Sequence, residues 1–197
     1  MICTIRYRPA VKEDAADLAR LINFAGEGVP VYYWNKIKPV DQDVWAFGAS
    51  RAARDEGAFS YRNAIVATVD GAVIGCAIRY VIDAAADKSD YASMPPMFVP
   101  MQQLEDLAVG SEYLNVLAVD PEFRGRGIGT RLCGIAEIDG NRDQTLIAFD
   151  TNTGAIKLYR SLGFEVEASR PMIKEDWDGE AETLLLMRRA ARLRKAA

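Results

Sequence analysis

The sequence contains no histidine. Imidazole is the base in Ser-His-Asp and Cys-His catalytic groups, and it is a frequent ligand of zinc. The absence of histidine therefore excludes both of these nucleophilic mechanisms, together with every metal centre that needs a histidine ligand.

Cysteine is scarce as well, with Cys3, Cys76 and Cys133 as its three positions. They are odd in number, lie far apart and show no metal-ligand spacing, and Cys76 and Cys133 sit inside apolar runs. We predict buried thiols here, with no disulfide and no bound metal. Free thiols favour a reducing compartment, so we expect a cytoplasmic protein.

The sequence also lacks a long apolar run and a strong excess of one charge. No apolar stretch approaches the roughly 20 residues that span a bilayer, and the N-terminal "ICTIRYRPA" is too short and too polar for a signal peptide. Lys and Arg total 24 against 28 Asp and Glu, a net charge of −4. We therefore expect neither a membrane nor a nucleic acid as partner. The basic stretch 187–197 is interpreted as a strand that runs into a frayed, solvated terminus.

The length and the apolar fraction fit one domain over residues 1–197, because the chain has 197 residues and 50% of them are hydrophobic. Helical spacing of Leu18, Leu21 and Ile22 predicts a first helix over 12–25, after a first strand over 4–10. The aromatic-rich stretch 31–39 is predicted to be a connection, and 41–57 a second helix.

Two β-rich runs flank Asp70-Gly71, a strong hairpin signal. A long insertion follows at about 83–112, and its apolar, proline-rich middle "MPPMFVPM" suggests a lid or a pocket wall. The remaining pattern predicts the order strand, helix, strand, helix, strand, strand.

The stretch "YLNVLAV" is apolar on both faces, which is typical of a strand in the middle of a covered sheet. The strand–helix–strand order from Val116 to Phe149 implies a right-handed parallel crossover, whereas the hairpin implies antiparallel neighbours. The fold class predicted from the residues is a mixed α/β sheet with helices on both faces.

The stretch "RGRGIGTRL", Arg124 to Leu132, places three glycines in five positions at the start of a predicted helix. Glycine permits the dihedrals that point successive amides at one anion, and helix N-termini supply free N–H groups. The loop follows a buried strand, where ligands usually bind in such sheets, and its arginines suit a phosphorylated ligand. The alternative is a turn that packs the helix closely on the sheet.

Two common nucleotide loops do not fit this stretch. A Walker loop needs a lysine where Gly129 precedes Thr130, and the dinucleotide fingerprint needs a glycine where Leu132 stands.

The stretch "NVLAVDPEFRGRGIGTRL" resembles the acetyl-CoA loop of the GNAT acetyltransferase superfamily, whose pattern Arg/Gln-x-x-Gly-x-Gly/Ala is met by Arg124, Gly127 and Gly129. Downstream, "NTGAIKLYRSLGFE" resembles the second signature of that family through Asn152, Ala155, Leu158, Tyr159, Gly163 and Phe164. The resemblance covers nearly the whole chain. It implies a mostly antiparallel, twisted sheet with a parallel central strand pair and helices on both faces.

The resemblance implies an N-acetyltransferase that moves an acetyl group from acetyl-CoA to a primary amine by direct attack. The residues it assigns to the cosubstrate are Leu117, Ala118, Val119, Arg124, Gly125, Arg126, Gly127, Ile128, Gly129, Thr130, Asn152, Ala155 and Tyr159.

Tyr159 resembles the general acid of the family, and its match to the signature favours this role over the alternative of an aromatic on a buried helix stripe. Asn152 is likewise readable as a helix N-cap, and both roles can hold together. Glu112 is our first candidate for the base, followed by Glu105 and Asp106. A chain of waters could replace all three carboxylates, each of which is also readable as an ordinary solvated group.

The acceptor implied by the resemblance is a small-molecule or peptide amine, and the oligomeric state it suggests is a homodimer. No metal is implied. The alternative function is a CoA-binding sensor or regulatory module without turnover.

Overall fold

The computed structural model describes residues 4–138 and 141–191. Strands in these residues are β1 (Arg6–Pro9), β2 (Ala64–Val69), β3 (Ala72–Val81), β4 (Glu112–Val119), β5 (Gln144–Phe149), β6 (Glu165–Pro171) and β7 (Thr183–Arg189). Helices are α1 (Ala15–Ala25), α2 (Val29–Ile37), α3 (Val44–Ala52), α4 (Lys88–Ser93), α5 (Val99–Leu107), α6 (Ile128–Ile135) and α7 (Thr153–Ser161).

The strands form one mixed sheet in the order β1-β2-β3-β4-β5-β7-β6. Antiparallel pairing joins β1 to β2, β2 to β3, β5 to β7 and β7 to β6. The pair β4–β5 is parallel, with Glu112 opposite Gln144 and Tyr113 opposite Thr145. The structure therefore confirms the predicted mixed sheet with a parallel strand pair at its centre.

The hairpin between β2 and β3 turns at the predicted residues. Asp70 and Gly71 both have a positive φ, of 49° and 87°. A two-residue turn of this type matches the twist of the strands it joins. The local sequence signal is sufficient here because the turn needs left-handed backbone that Asp and Gly adopt at little cost.

The first of two compact units comprises Met1–Arg79 and Asn115–Glu137. The predicted apolar stripe of α1 is confirmed, since Leu18, Leu21 and Ile22 are all buried. They join a core whose other members include Trp34, Ala52, Val66, Cys76, Ile78 and Val116.

The second unit comprises Tyr80–Leu114 and Ile138–Ala197. Its largest fully buried side chains are Tyr113, Phe164, Leu104, Leu146, Leu184, Leu186 and Met187. The expectation of one domain over 1–197 with an insertion stays a prediction.

The prediction of a connection over 31–39 is wrong, because most of this stretch forms helix α2. Gly28 enters the helix with a φ of 92°, and Pro30 lies in its first turn, where a missing N–H costs nothing. The Asn23 side chain accepts a hydrogen bond from the Val31 N–H at 3.1 Å. The buried side chain of Trp34 then stabilises this stretch as a helix.

The predicted insertion at 83–112 contains helices α4 and α5, and it is organised by one carboxylate. Asp106 accepts hydrogen bonds from the Ala86 N–H (3.0 Å), the Tyr91 hydroxyl (2.7 Å) and the Gln102 amide (3.0 Å). Burial is the largest single influence on the Asp106 pKa and raises it, but the hydrogen bonds together hold that pKa below its ordinary value. Two hydrogen bonds to Asp106, from Ala86 and Tyr91, thus tie the segment before α5 to that helix.

Cys76 and Cys133 are buried free thiols, as predicted, and burial raises the pKa of Cys76 to about 12. Cys3 and residues 192–197 of the basic tail lie outside the described residues. Within 4–138 and 141–191, no helix combines the length and the apolar character that crossing a bilayer requires.

We predict that Gly48→Ala destabilises the protein. A Cβ at Gly48 would lie 2.3 Å from the Cζ3 atom of the buried Trp34 ring. Overpacking of this kind costs about 1–3 kcal/mol, which urea unfolding can measure. Gly134→Ala in α6 is the matched control, because no heavy atom lies within 4 Å of its added Cβ. That substitution is expected to be neutral or to stabilise by up to about 1 kcal/mol, and equal losses in the two variants would contradict the packing argument.

Candidate functional site

The loop after β4 is shaped by a short 3-10 turn. Asp120 caps this turn by accepting the Glu122 N–H at 3.1 Å, and the Asp120 N–H donates to the Ile74 carbonyl at 2.8 Å. The turn covers Pro121–Phe123 and delivers the chain to the glycines. The loop therefore starts from a point fixed on the neighbouring strand β3.

Two left-handed glycines then lead into α6. Gly125 and Gly127 have φ values of 74° and 75°, and no heavy atom lies within 4 Å of a Cβ built at either one. The first hydrogen bond of the helix runs from the Arg131 N–H to the Gly127 carbonyl at 3.0 Å. The amides of residues 128–130 precede it, so they have no acceptor within the helix. This arrangement can bind an anion through main-chain N–H groups.

The two arginines of the loop help to hold its shape. Arg124 Nε donates to the Val119 carbonyl at 3.0 Å, and Arg126 donates to the Glu122 carbonyl at 3.3 Å. The Arg126 guanidinium also lies over the Phe123 ring, 5.1 Å from its centroid. Both arginines are exposed. Their predicted role toward a phosphorylated ligand stays a prediction.

The second half of β4 alternates in burial. Val116 and Ala118 are buried, whereas Leu117 and Val119 are partly exposed. The segment Leu117–Val119, which the resemblance assigns to the cosubstrate, thus has one covered face and one accessible face.

The second signature lies in the other unit and forms the start and middle of α7. Asn152 is the N-cap, and its side chain accepts the Ala155 N–H at 3.2 Å. Tyr159 is 7% exposed, and its ring meets Phe164 edge-on at 6.0 Å between centroids. Both structural alternatives are therefore realised, while the functional roles of Asn152, Ala155 and Tyr159 stay predictions.

Glu112 is completely buried at the start of β4. Its carboxylate accepts the Ile138 N–H at 3.2 Å and the Gln144 side-chain amide at 3.4 Å. These contacts tie the start of β4 to β5 and to the segment after α6. The structure thus gives this candidate base a clear packing role.

A second carboxylate lies in a cluster of tyrosines that the sequence did not reveal. Glu105 on α5 is partly buried, and its pKa is influenced by Tyr113, which is 2% exposed. Tyr80 meets the Tyr113 ring edge-on at 5.6 Å between centroids. Burial raises the pKa of Glu105 to about 7; Tyr113 opposes that rise and Asp106 adds to it.

The pKa of Tyr113 is raised well above its ordinary value, first by burial and then by the charge of Glu105, with Tyr80 and Tyr159 contributing. Sequence reasoning named Glu105 as a reserve candidate but not its tyrosine partners. In the part of the chain that the structure describes, no group of three or more Cys, Asp or Glu side chains is placed to hold a metal ion.

Comparison with known proteins gives consistent matches. The domain family described as acetyltransferase (GNAT) domain matches residues 60–166. An uncharacterized N-acetyltransferase of Methanocaldococcus jannaschii is 30% identical over 174 residues, which is 84% of this chain and 62% of that protein. The N-alpha-acetyltransferase 30 of Xenopus laevis is 41% identical over 56 residues, 26% of this chain and 20% of that protein. The matches thus span less than two thirds of either relative.

Solved structures share the fold. An N-acetyltransferase from Staphylococcus aureus Mu50 superposes with a TM-score of 0.63 at 20% identity, over 93% of this chain and 99% of that one. Arabidopsis thaliana Naa50, in complex with the bisubstrate analogue CoA-Ac-MVNAL, gives 0.56 at 16% identity, over 94% and 98%. At these identities the likeness concerns the fold alone.

We predict that Glu105→Gln removes a pH dependence of stability. The folded-state pKa of about 7 lies above the ordinary 4.5, so the folded protein keeps a proton that the unfolded chain releases between these values. Wild-type stability therefore falls as pH rises from about 4.5 to about 7, and the glutamine variant lacks this contribution. Urea unfolding at about pH 5 and about pH 8 should show the variant gaining stability relative to wild type at the higher pH. If the free energies of unfolding of the variant and of wild type differ by the same amount at both pH values, the raised pKa of Glu105 is contradicted.

Proposed function

The chain belongs to the GNAT acetyltransferase family, and on that premise we propose that it is an N-acetyltransferase dependent on acetyl-CoA. The observation that carries the proposal is the pair of left-handed glycines that presents the first amides of α6 directly after β4. An exposed row of main-chain donors at a helix N-terminus suits the diphosphate of CoA. The reaction proposed is transfer of the acetyl group to a primary amine by direct attack in a ternary complex.

Residues in both signatures take part in the proposed binding. The amides from Arg124 to Thr130 hold the diphosphate, and the backbone of Leu117–Val119 bonds the pantetheine arm as an added strand would. Asn152 and Ala155 contribute from the start of α7. The accessible face of β4 and the exposed loop support the first two assignments.

Acetyl-CoA supplies an acetyl thioester whose carbonyl carbon is open to attack by a neutral amine. Main-chain groups of β4 and of the loop hold that thioester in place, and positioning of the two reactants provides much of the rate. Attack forms the C–N bond, and collapse of the tetrahedral adduct breaks the C–S bond. The proton that the attacking nitrogen loses restores the Tyr159 hydroxyl, after Tyr159 has given its own proton to the departing sulfur. Because a free thiol has a pKa of about 8.5, this proton contributes toward the low end of the roughly 10²–10⁴ range of general acids.

The acceptor proposed is the primary amine of a small molecule or a peptide. The name of the Xenopus laevis relative supports a peptide N-terminus, although the match to it covers only 56 residues.

We predict that acetyl-CoA stabilises the folded protein, whereas NAD and ATP do not. At about 100 times its Kd, a ligand of the folded state adds about 2.7 kcal/mol to the free energy of unfolding, which a thermal-shift panel detects. Equal stabilisation by NAD or ATP would contradict the proposed ligand.

The control for this panel is Gly127→Val. A β-branched residue is disfavoured at a φ of 75°, and its side chain would extend from the open side of the loop. Stabilisation by acetyl-CoA should be lost in this variant and retained in Gly134→Ala. If Gly127→Val responds as wild type does, the loop does not hold the diphosphate.

We predict that Tyr159→Phe lowers turnover by up to about 100-fold and largely spares acetyl-CoA binding. The readout is release of the CoA thiol, first for wild type across a library of amines and then for the variant with the best amine. Unchanged turnover would remove Tyr159 from the mechanism. Binding of acetyl-CoA with no turnover for any amine would instead indicate the sensor or regulatory module.

A further inference from the structure

We propose that Arg124 is the positioning residue of the glycine loop, and that acetyl-CoA binding depends on its hydrogen bond to the end of β4 rather than on its charge. The bond runs from the Arg124 Nε–H to the Val119 carbonyl at 3.0 Å. The inference rests on the proposed function and deepens it, because it separates two ways in which an arginine can act on a phosphorylated ligand.

The Arg124 side chain reaches back across the turn that precedes the glycines. Val119 is the last residue of β4, and Arg124 stands directly before Gly125, the first of the two left-handed glycines. The main chain contributes a hydrogen bond from the Arg124 N–H to the Pro121 carbonyl, with a distance of 3.3 Å. The side-chain bond is the shorter of the two, and it joins the end of the turn directly to the strand.

The glycines that follow make such a link important. Gly125 and Gly127 lack a side chain that would restrict their backbone, and glycine loses more conformational freedom on ordering than any other residue. A loop that is already ordered loses less entropy when it binds a ligand, and its affinity is higher for that reason. The Arg124 bond fixes the residue before Gly125 relative to β4 and so restricts where the amides of the loop can lie.

The charge of Arg124 is poorly placed to contribute much by itself. The residue is exposed, so water and salt screen the interaction of its guanidinium with a diphosphate. The Nε–H is one of the five N–H donors with which a guanidinium binds an anion, and here it donates to Val119. This donor therefore serves the protein's own main chain.

Arginine and glutamine have one donor in common at this place. Each carries a nitrogen with an N–H directly on Cδ, which is Nε in arginine and Nε2 in glutamine. Lysine has a methylene there, and its ammonium nitrogen lies one bond further out. The loop pattern that Arg124 meets accepts arginine or glutamine at this position, as expected if the required group is the N–H on Cδ.

Arg126 differs from Arg124 in the donor that it uses. Its terminal Nη2 donates to the Glu122 carbonyl at 3.3 Å, and its guanidinium lies over the Phe123 ring. Glutamine is too short to reproduce this contact, and Arg126 stands at a variable position of the pattern. Of the two arginines, we therefore expect glutamine to substitute for Arg124 alone.

The test compares Arg124→Gln with Arg124→Lys by isothermal titration with acetyl-CoA. Glutamine keeps the N–H on Cδ and removes the charge, whereas lysine keeps the charge and removes that N–H. The Kd of Arg124→Gln should stay within about fivefold of wild type, because an exposed charge contributes little. The Kd of Arg124→Lys should be at least about tenfold weaker, because a hydrogen bond from a charged donor is lost.

Matched controls are Arg6→Gln and Arg6→Lys, since Arg6 is an exposed arginine of β1 in the same compact unit. Both should keep the wild-type Kd. A second measurement compares low with high salt. The Kd values of wild type and Arg124→Gln should rise by the same factor, because the charge that the substitution removes is not the group that holds the diphosphate.

Three results would overturn the inference. They are a Kd at least tenfold weaker in Arg124→Gln, a wild-type Kd in Arg124→Lys, and a shallower salt dependence in Arg124→Gln than in wild type. Failure of the proposed function is distinguishable from all three, because wild type itself would then not bind acetyl-CoA.

Discussion

The turn from β4 into α6 is the constraint on which the candidate site depends. Two residues with a φ near 75° reverse the chain so that a helix starts with its amides exposed beyond the end of a strand. Residues other than glycine rarely adopt this backbone, and the space beside both glycines is open. Asp120 and the two arginines of the loop fix the turn from within. The backbone shape of the loop is therefore set by its glycines and by hydrogen bonds within the loop.

A second theme is how a chain without histidine obtains a group that titrates near neutrality. The answer in this fold is desolvation, because burial is the largest influence on the pKa of Glu105 and raises it. Tyr113 opposes this rise in the pKa of Glu105. The same unit holds Asp106, whose pKa moves in the opposite direction because several donors converge on it. The pKa values of the adjacent carboxylates Glu105 and Asp106 are thus shifted in opposite directions by their different surroundings.

Local signals predicted much of the fold. Asp70-Gly71, the apolar runs of β4 and β5 and the stripe of α1 each depend on a few neighbouring residues, and the structure has them where the pattern indicated. Helix α2 was missed because its aromatic residues favour strands locally. The packing that stabilises it involves Trp34 and Gly48 of helix α3, which a local pattern does not reveal. Both helices of the insertion were missed for a similar reason, since their organising carboxylate bonds groups up to 20 residues away.

The candidate site also has parts that the sequence alone locates and parts that it does not. The glycine loop and the α7 signature are contiguous motifs and could be located by residue number. The pairing of Glu105 with Tyr113 could not, because it joins a helix to the strand after it and depends on the angle at which they pack.

The three hydrogen bonds to Asp106 have a consequence for how this protein can diversify. Residues 83–98 donate two hydrogen bonds to Asp106 of α5, and Met97 is the one buried apolar side chain described among them. Because the other described side chains of this segment are exposed or partly exposed, most of its positions can accept new side chains without opening a cavity in the core.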